Sequence, residues 1–144
     1  MMKILHKRVA AMKIALNLLM VTVAGFCWSA GAANCLRYAP TVVEVSGLLH
    51  RATFPGKPNF ESIAGGDEPE TGFYLTPKQP ICTQGDDGPD RQAHAAVTEI
   101  QLVLTQAQYA RLRPQLGQQV QLRGQLFSSF TGHHHADVLL RVAQ

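Results

Sequence analysis

The chain has 144 residues, with 13 Lys and Arg against 10 Asp and Glu, six His and three Cys. That length suits one small domain with its own core. Four of the 13 bases, Lys3, Lys7, Arg8 and Lys13, lie near the start, and the remainder carries nine bases against ten acids. The basic balance therefore gives no support for a nucleic-acid or anionic-membrane partner.

The first 33 residues read as a secretory leader. Behind the four bases, Ile14 to Trp28 is an apolar run broken only by Asn17, Thr22 and Gly25, and the small residues Ser29 to Ala33 follow. Cleavage is expected after Ala33 or Ala32, and translation starts at Met1 or Met12. The apolar run is shorter than the roughly 20 residues a membrane-spanning helix needs. Residues preceding Cys27 and Cys35, Phe26 and Asn34, do not suit lipid attachment. Cys27 leaves with the leader. Cys35 and Cys82 then remain as a pair expected to form one disulfide in an oxidising compartment, periplasmic or extracellular. They lack the close Cys-x-x-Cys spacing of a redox pair. Residues 34–144 are expected to form a single domain that does not span the membrane.

Val42 to Arg51 alternates, with Val43, Val45 and Leu49 on one face and Glu44, Ser46 and His50 on the other, which predicts a strand. Val120 to Leu126, "VQLRGQL", repeats the pattern of Val43 to Leu49, "VEVSGLL", with Gly47 and Gly124 at equivalent places. Glycine inside a strand marks a bend or a close backbone approach. Strands are also predicted over Phe73–Gln84, Val97–Leu104 and Ala136–Ala143. Thr105 and Gln108 form a capping box, Leu104 is placed to staple onto Tyr109, and Tyr109, Leu112 and Leu116 make one apolar stripe, so a helix begins at 105. Pro114 ends or kinks it, with Gly117 as the stop.

A helix between the third and fourth of five strands is the plan of the OB-fold, a small Greek-key barrel. The expected fold is thus mainly β, a five-stranded OB-like barrel; another five-stranded barrel or sandwich with one helix is the alternative. Two long loops remain, 52–72 and 85–96. The first is rich in Pro, Gly and acid yet holds Phe54, Phe60 and Ile63, so it is expected to pack over one barrel end.

"TFPGKPNFESIAGGDEPE", "QLVLTQAQYARLRPQLGQQV" and "TGHHHADVLL" together resemble an uncharacterised family of small exported bacterial proteins with a C-terminal TGHHHxxVLL signature. The family has no established biochemical activity. The resemblance implies export and a single domain, and assigns no catalytic residue. Family members typically carry Thr-Pro after the histidines, where this chain has Ala136-Asp137.

If the last strand extends back through the histidines, His133, His135 and Asp137 share one face and His134 turns to the core. Two imidazoles so placed, their Cα atoms about 7 Å apart, suit zinc or copper, with Asp137, His50 or His94 completing the ligands. The alternative is a hairpin end without metal chemistry. Enzyme motifs of the His-Glu-x-x-His, Gly-x-Ser-x-Gly and phosphate-loop kinds are absent. Glu61, Asp67, Glu68 and Glu70 hold the carboxylates for acid–base work, though acids in a Gly/Pro loop more often form solvated turns. Arg51, Arg123 and Phe127 are the residues that could stack and hold a nucleic acid, which the charge and the expected export oppose.

The function read from the sequence is a periplasmic or secreted non-catalytic binding module, such as an immunity or inhibitor protein. It would hold an unknown ligand or envelope protein through the 52–72 loop and the histidine-rich end. Its candidate binding residues are Phe54, Asn59, Phe60, Glu61, Asp67, Glu70, His133, His134 and His135. The alternative is a zinc- or copper-binding protein using His133, His135, Asp137 and His50.

Overall fold

The alternation of Val43, Val45 and Leu49 with polar neighbours does make a strand, and a longer one than the pattern predicts. In a computed structural model, which describes residues 35–86, 88 and 91–144, that strand runs to Pro55. The expected leader, 1–33, lies outside the described residues. The elements in chain order are β1 (Leu36–Arg37), β2 (Val42–Pro55), β3 (Pro69–Pro77), β4 (Ile81–Gln84), β5 (His94–Val97), β6 (Ile100–Val103), α1 (Gln106–Leu112), β7 (Gln119–Ser128) and β8 (Val138–Val142).

The chain is mainly β, but it has eight strands among the described residues rather than five. Five of them close into one ring in the order β2-β3-β6-β8-β7, and three short ones form a second sheet, β1-β4-β5. Two expected strands are each divided between these sheets. Phe73–Gln84 breaks between β3 and β4, where Pro77 and Pro80 cannot donate ladder hydrogen bonds. Val97–Leu104 breaks because Val97 pairs with Ile81 in the small sheet while Ile100 pairs with Leu75 in the ring. Cys35 and Cys82 are joined, as expected, with Cα atoms 4.6 Å apart.

The ring is antiparallel except where β6 and β8 run side by side in parallel. The two similar segments of β2 and β7 pair with each other. Val45 sits opposite Leu122, so Gly47 meets Val120 and Gly124 meets Val43. Each glycine therefore faces the first valine of the other copy. A Cβ at Gly47 would lie 2.8 Å from the Thr76 carbonyl oxygen, and one at Gly124 would lie 2.9 Å from the Arg141 carbonyl carbon. These glycines permit close backbone approach.

Val45, Leu49, Leu75, Ile100, Leu126 and Leu140 fill the ring's interior. α1 closes one end with Leu112 buried. Its capping box forms as expected: the Gln108 backbone N–H donates to Thr105 Oγ1, and the Thr105 N–H donates to Gln108 Oε1. The Gln108 amide also donates to the Val142 and Ala143 carbonyls, which ties the helix to β8. A 3-10 turn at Arg113–Gln115 replaces the helix at Pro114, and Gly117 reverses the chain at φ +82°.

The expected 52–72 loop is shorter than it looked. β2 and β3 stay paired as far as Pro55 and Pro69, and the Thr53 and Thr71 hydroxyls hydrogen-bond at 2.7 Å. Only residues 56–68 form the loop. The histidines do not extend the last strand, which starts at Val138; they lie in turns ahead of it.

Candidate functional site: a histidine turn against a carboxylate

The loop at 56–68 is organised by one of its own acids. Asp67 is buried, and its carboxylate accepts the backbone N–H groups of Asn59, Glu61 and Ser62, each at 2.8 Å. Those hydrogen bonds, Ser62's foremost, hold the Asp67 carboxyl below its ordinary value. Asp67 is thus a loop organiser, and Asn59 and Glu61 contribute backbone to it. The fixed loop places Phe60 at φ +61°, a left-handed conformation rare for a bulky residue.

Phe60 reaches the histidine turn. Its ring meets His133 edge-on at 5.0 Å between centroids, and a Cβ on Gly132 would lie 2.8 Å from it. Gly132 therefore leaves the space that the ring fills. Beside it, Glu70 of β3 receives both flanking histidines. His133 Nδ1–H donates to the carboxylate at 2.9 Å, and His135 Nε2–H donates to Glu70 Oε2 at 3.3 Å. Phe54, the register partner of Glu70 on β2, stacks flat on His135 at 4.7 Å. Burial alone would raise the Glu70 carboxyl; the hydrogen bonds and charges of the two histidines outweigh it and hold it low.

Gln101 of β6 locks the turn's backbone. Its amide N–H donates to the His133 carbonyl at 2.9 Å, and its Oε1 accepts the His135 N–H at 2.6 Å. His134 points the other way, where its Nδ1 accepts the Phe130 N–H at 3.0 Å and its ring packs against Phe130 and Phe127. Burial, then the charges of His133 and His135, lower its pKa against an opposing pull from Glu70.

The strand-based facing is thus right in pairing His133 with His135 and wrong on why and how far. The pair share a side through the turn, and His135 is not outward: its side chain is 10% exposed against 46% for His133. Asp137 and His50 do not join them. His50 stacks on Tyr74 and lies 3.0 Å from Glu99 Oε1 without hydrogen-bond alignment. Among the described residues, no group of three or more His, Cys, Asp or Glu is arranged to hold a metal. The four acids have separate surroundings: Asp67 is taken by backbone, Glu70 by imidazoles, while Glu61 and Glu68 are exposed. Arg51, Arg123 and Phe127 are not gathered either. Register puts Arg51 in line with buried Leu49, whereas Arg123 and Phe127 share the outer face of β7, where Arg141 covers Phe127.

Residues 99–144 match the family model described as Domain of unknown function (DUF4431). This segment is similar to a family of unknown function. The matched segment spans β6, α1, β7, the histidine turn and β8. It contains Gln101 and the three histidines, whereas Phe54, Phe60, Asp67 and Glu70 come from the preceding part of the chain. No curated protein and no solved structure matched the chain.

Residues absent from the sequence reading also matter. Gln101, the turn's lock, gave no signal beyond its polar place in an alternating strand. Tyr74 is 1% exposed, and its hydroxyl has no hydrogen-bond partner among the described residues. Burial chiefly, then the charges of Glu99 and Glu70, raise its pKa. No local pattern could show that a tyrosine between Phe73 and Leu75 would be buried on the ring's outer face.

Proposed function

We propose that the protein is an exported, non-catalytic binding module, an OB-like barrel that holds a ligand or envelope protein at its histidine-rich end. The ring order supports the OB reading. Numbered within the ring, the strands run 1-2-3-5-4, with the third and fifth parallel and the helix between the third and fourth. Export is supported by the basic and apolar leader pattern and by the Cys35–Cys82 disulfide. No helix among the described residues is long and apolar enough to cross a membrane.

The observation carrying the binding reading is the joint between loop 56–68 and the histidine turn. Phe54, Phe60, Glu70, His133 and His135 come from β2, the loop, β3 and the histidine turn and hold one another in fixed orientations. Such preorganisation lowers the entropy lost when a partner binds. An immunity or inhibitor protein acting on an envelope enzyme or toxin is one form this function takes.

The alternative is a metal reading, zinc or copper at His133 and His135, whose imidazoles share Glu70 as a carboxylate partner. The test is a pull-down from an envelope extract using the exported protein and its Phe60→Ala/His133→Ala variant. We expect an envelope protein retained by the wild type and lost by the folded variant. Equal retention by both, or none by either, overturns the binding reading. One zinc or copper per chain, retained through purification without an affinity tag and lost in the variant, establishes the metal reading instead.

A further inference from the structure

On the ring's outer face, register sets four residues in one row across four strands. Val42 of β2 lies opposite Gln125 of β7, Gln125 opposite Arg141 of β8, and Arg141 beside Val103 of β6. Together with Leu104 and Val142 they line a groove of about 500 Å³. We infer that this groove binds an aliphatic carboxylate, a free acyl chain of medium length with its headgroup on Arg141. The site is separate from the histidine joint and goes beyond the binding reading above.

Exposed apolar surface is the first support. Val42 is 50% exposed and Val103 36%, although each stands at an outward strand position, where polar residues are usual. Gln125, between Val42 and Arg141, has its amide turned to the Pro40 carbonyl at 3.0 Å. From Arg141 to Val42 is two strand spacings, about 10 Å, the reach of an acyl chain of about eight carbons. Laid along that line, the chain takes its own methylenes and the valine out of water. The groove's volume is that of a small-molecule site, about 300–1,000 Å³, which favours a free solute over a protein segment.

Charge is the second support. Arg141 is the one charged side chain that lines the groove. Its guanidinium lies over the Phe127 ring, 5.2 Å from the centroid, which orients it without using its N–H groups. Among the described residues Arg141 has no ion pair and its guanidinium has no hydrogen-bond acceptor. The fork that meets a carboxylate through two parallel hydrogen bonds is therefore open. From Ile100 to Ala136 the chain adds Arg111, Arg113 and Arg123 and no Asp or Glu. Arg111 and Arg123 line an adjoining hollow. Glu44, the register partner of Arg123, is engaged by the Gln121 amide at 2.6 Å. The side-chain charge around the groove is thus mainly positive and draws in anions.

The test is NMR titration of the untagged protein at pH 7.5 with octanoate, octylammonium and butyrate. Octanoate should shift the amides of Val42, Val103, Gln125 and Arg141, and octylammonium should shift them far less. Butyrate, too short to reach from Arg141 to Val42, should bind weaker by about tenfold or more. Arg141→Gln should weaken octanoate about tenfold, the loss of a charge-assisted hydrogen bond. Arg141→Lys, which keeps the charge but not the fork, should lose less than that. No shift from octanoate, equal shifts from octylammonium, or unchanged affinity in a folded Arg141→Gln protein overturns the inference. A blocked Val-Glu-Val peptide that binds more tightly than octanoate would also overturn it, and would make the groove a docking surface for protein.

Discussion

His134 is the histidine of the motif whose protonation the fold opposes. Burial disfavours its charged form, and its Nδ1 is occupied in accepting the Phe130 N–H. Its folded pKa therefore lies below the ordinary 6.5. Between the two values the unfolded chain binds more protons, so stability rises with pH there. The contribution is present in full above about pH 6.5 and is lost as the pH falls through the depressed folded value. His134→Ala should lower stability at pH 7.5 by about 0.5–1.5 kcal/mol, the worth of one hydrogen bond. It should also lose less stability than wild type between pH 7.5 and 5.5. Urea denaturation at both pH values measures this, and parallel losses in the two proteins would show that His134 does not titrate against the fold.

At the scale of elements, the paired repeat of β2 and β7 decides how tightly the ring closes. Gly124 faces Val43 on one side and lies against β8 on the other, where a Cβ would come 3.0 Å from Leu140 Cδ1 as well as pressing on the Arg141 carbonyl. Gly124→Val should cost about 1–3 kcal/mol through overpacking. Chemical denaturation measures it, and a loss under about 0.5 kcal/mol, the range of neutral surface changes, would show that the strands can part freely there. The alternation that announced β2 and β7 was legible because a half-buried strand writes itself into every second residue. β4 and β5 were not legible as separate strands. They are four residues each, too short for a period to show, and their partners are distant in sequence.

At the scale of the whole molecule, the disulfide ties the small sheet together across 47 residues of chain. Cys35 precedes β1, Cys82 lies in β4, and the Tyr38 hydroxyl adds a contact to Thr83 at 3.0 Å and to the Gln92 carbonyl at 2.7 Å. Reduction should remove about 4 kcal/mol of stability on the chain-entropy model. Urea midpoints with and without a phosphine reductant test this. Coincident midpoints would mean that the small sheet holds without its covalent link.

The sequence by itself determined the β class, the capped helix and the pairing of Cys35 with Cys82. Each of these is a local property: a period, a spacing or a composition within one stretch of chain. Only the tertiary structure decided what the histidines touch. Glu70 is 63 residues before His133, and Phe54 is still further from His135; β2 and β3 bring both to the turn because their register continues past the point where alternation fades. Asp67 and Glu70, three residues apart and alike on paper, were separated in the same way. One faces three backbone N–H groups inside its loop and the other faces two imidazoles of the histidine turn, so the fold made one a brace for the loop and the other an anchor for the turn.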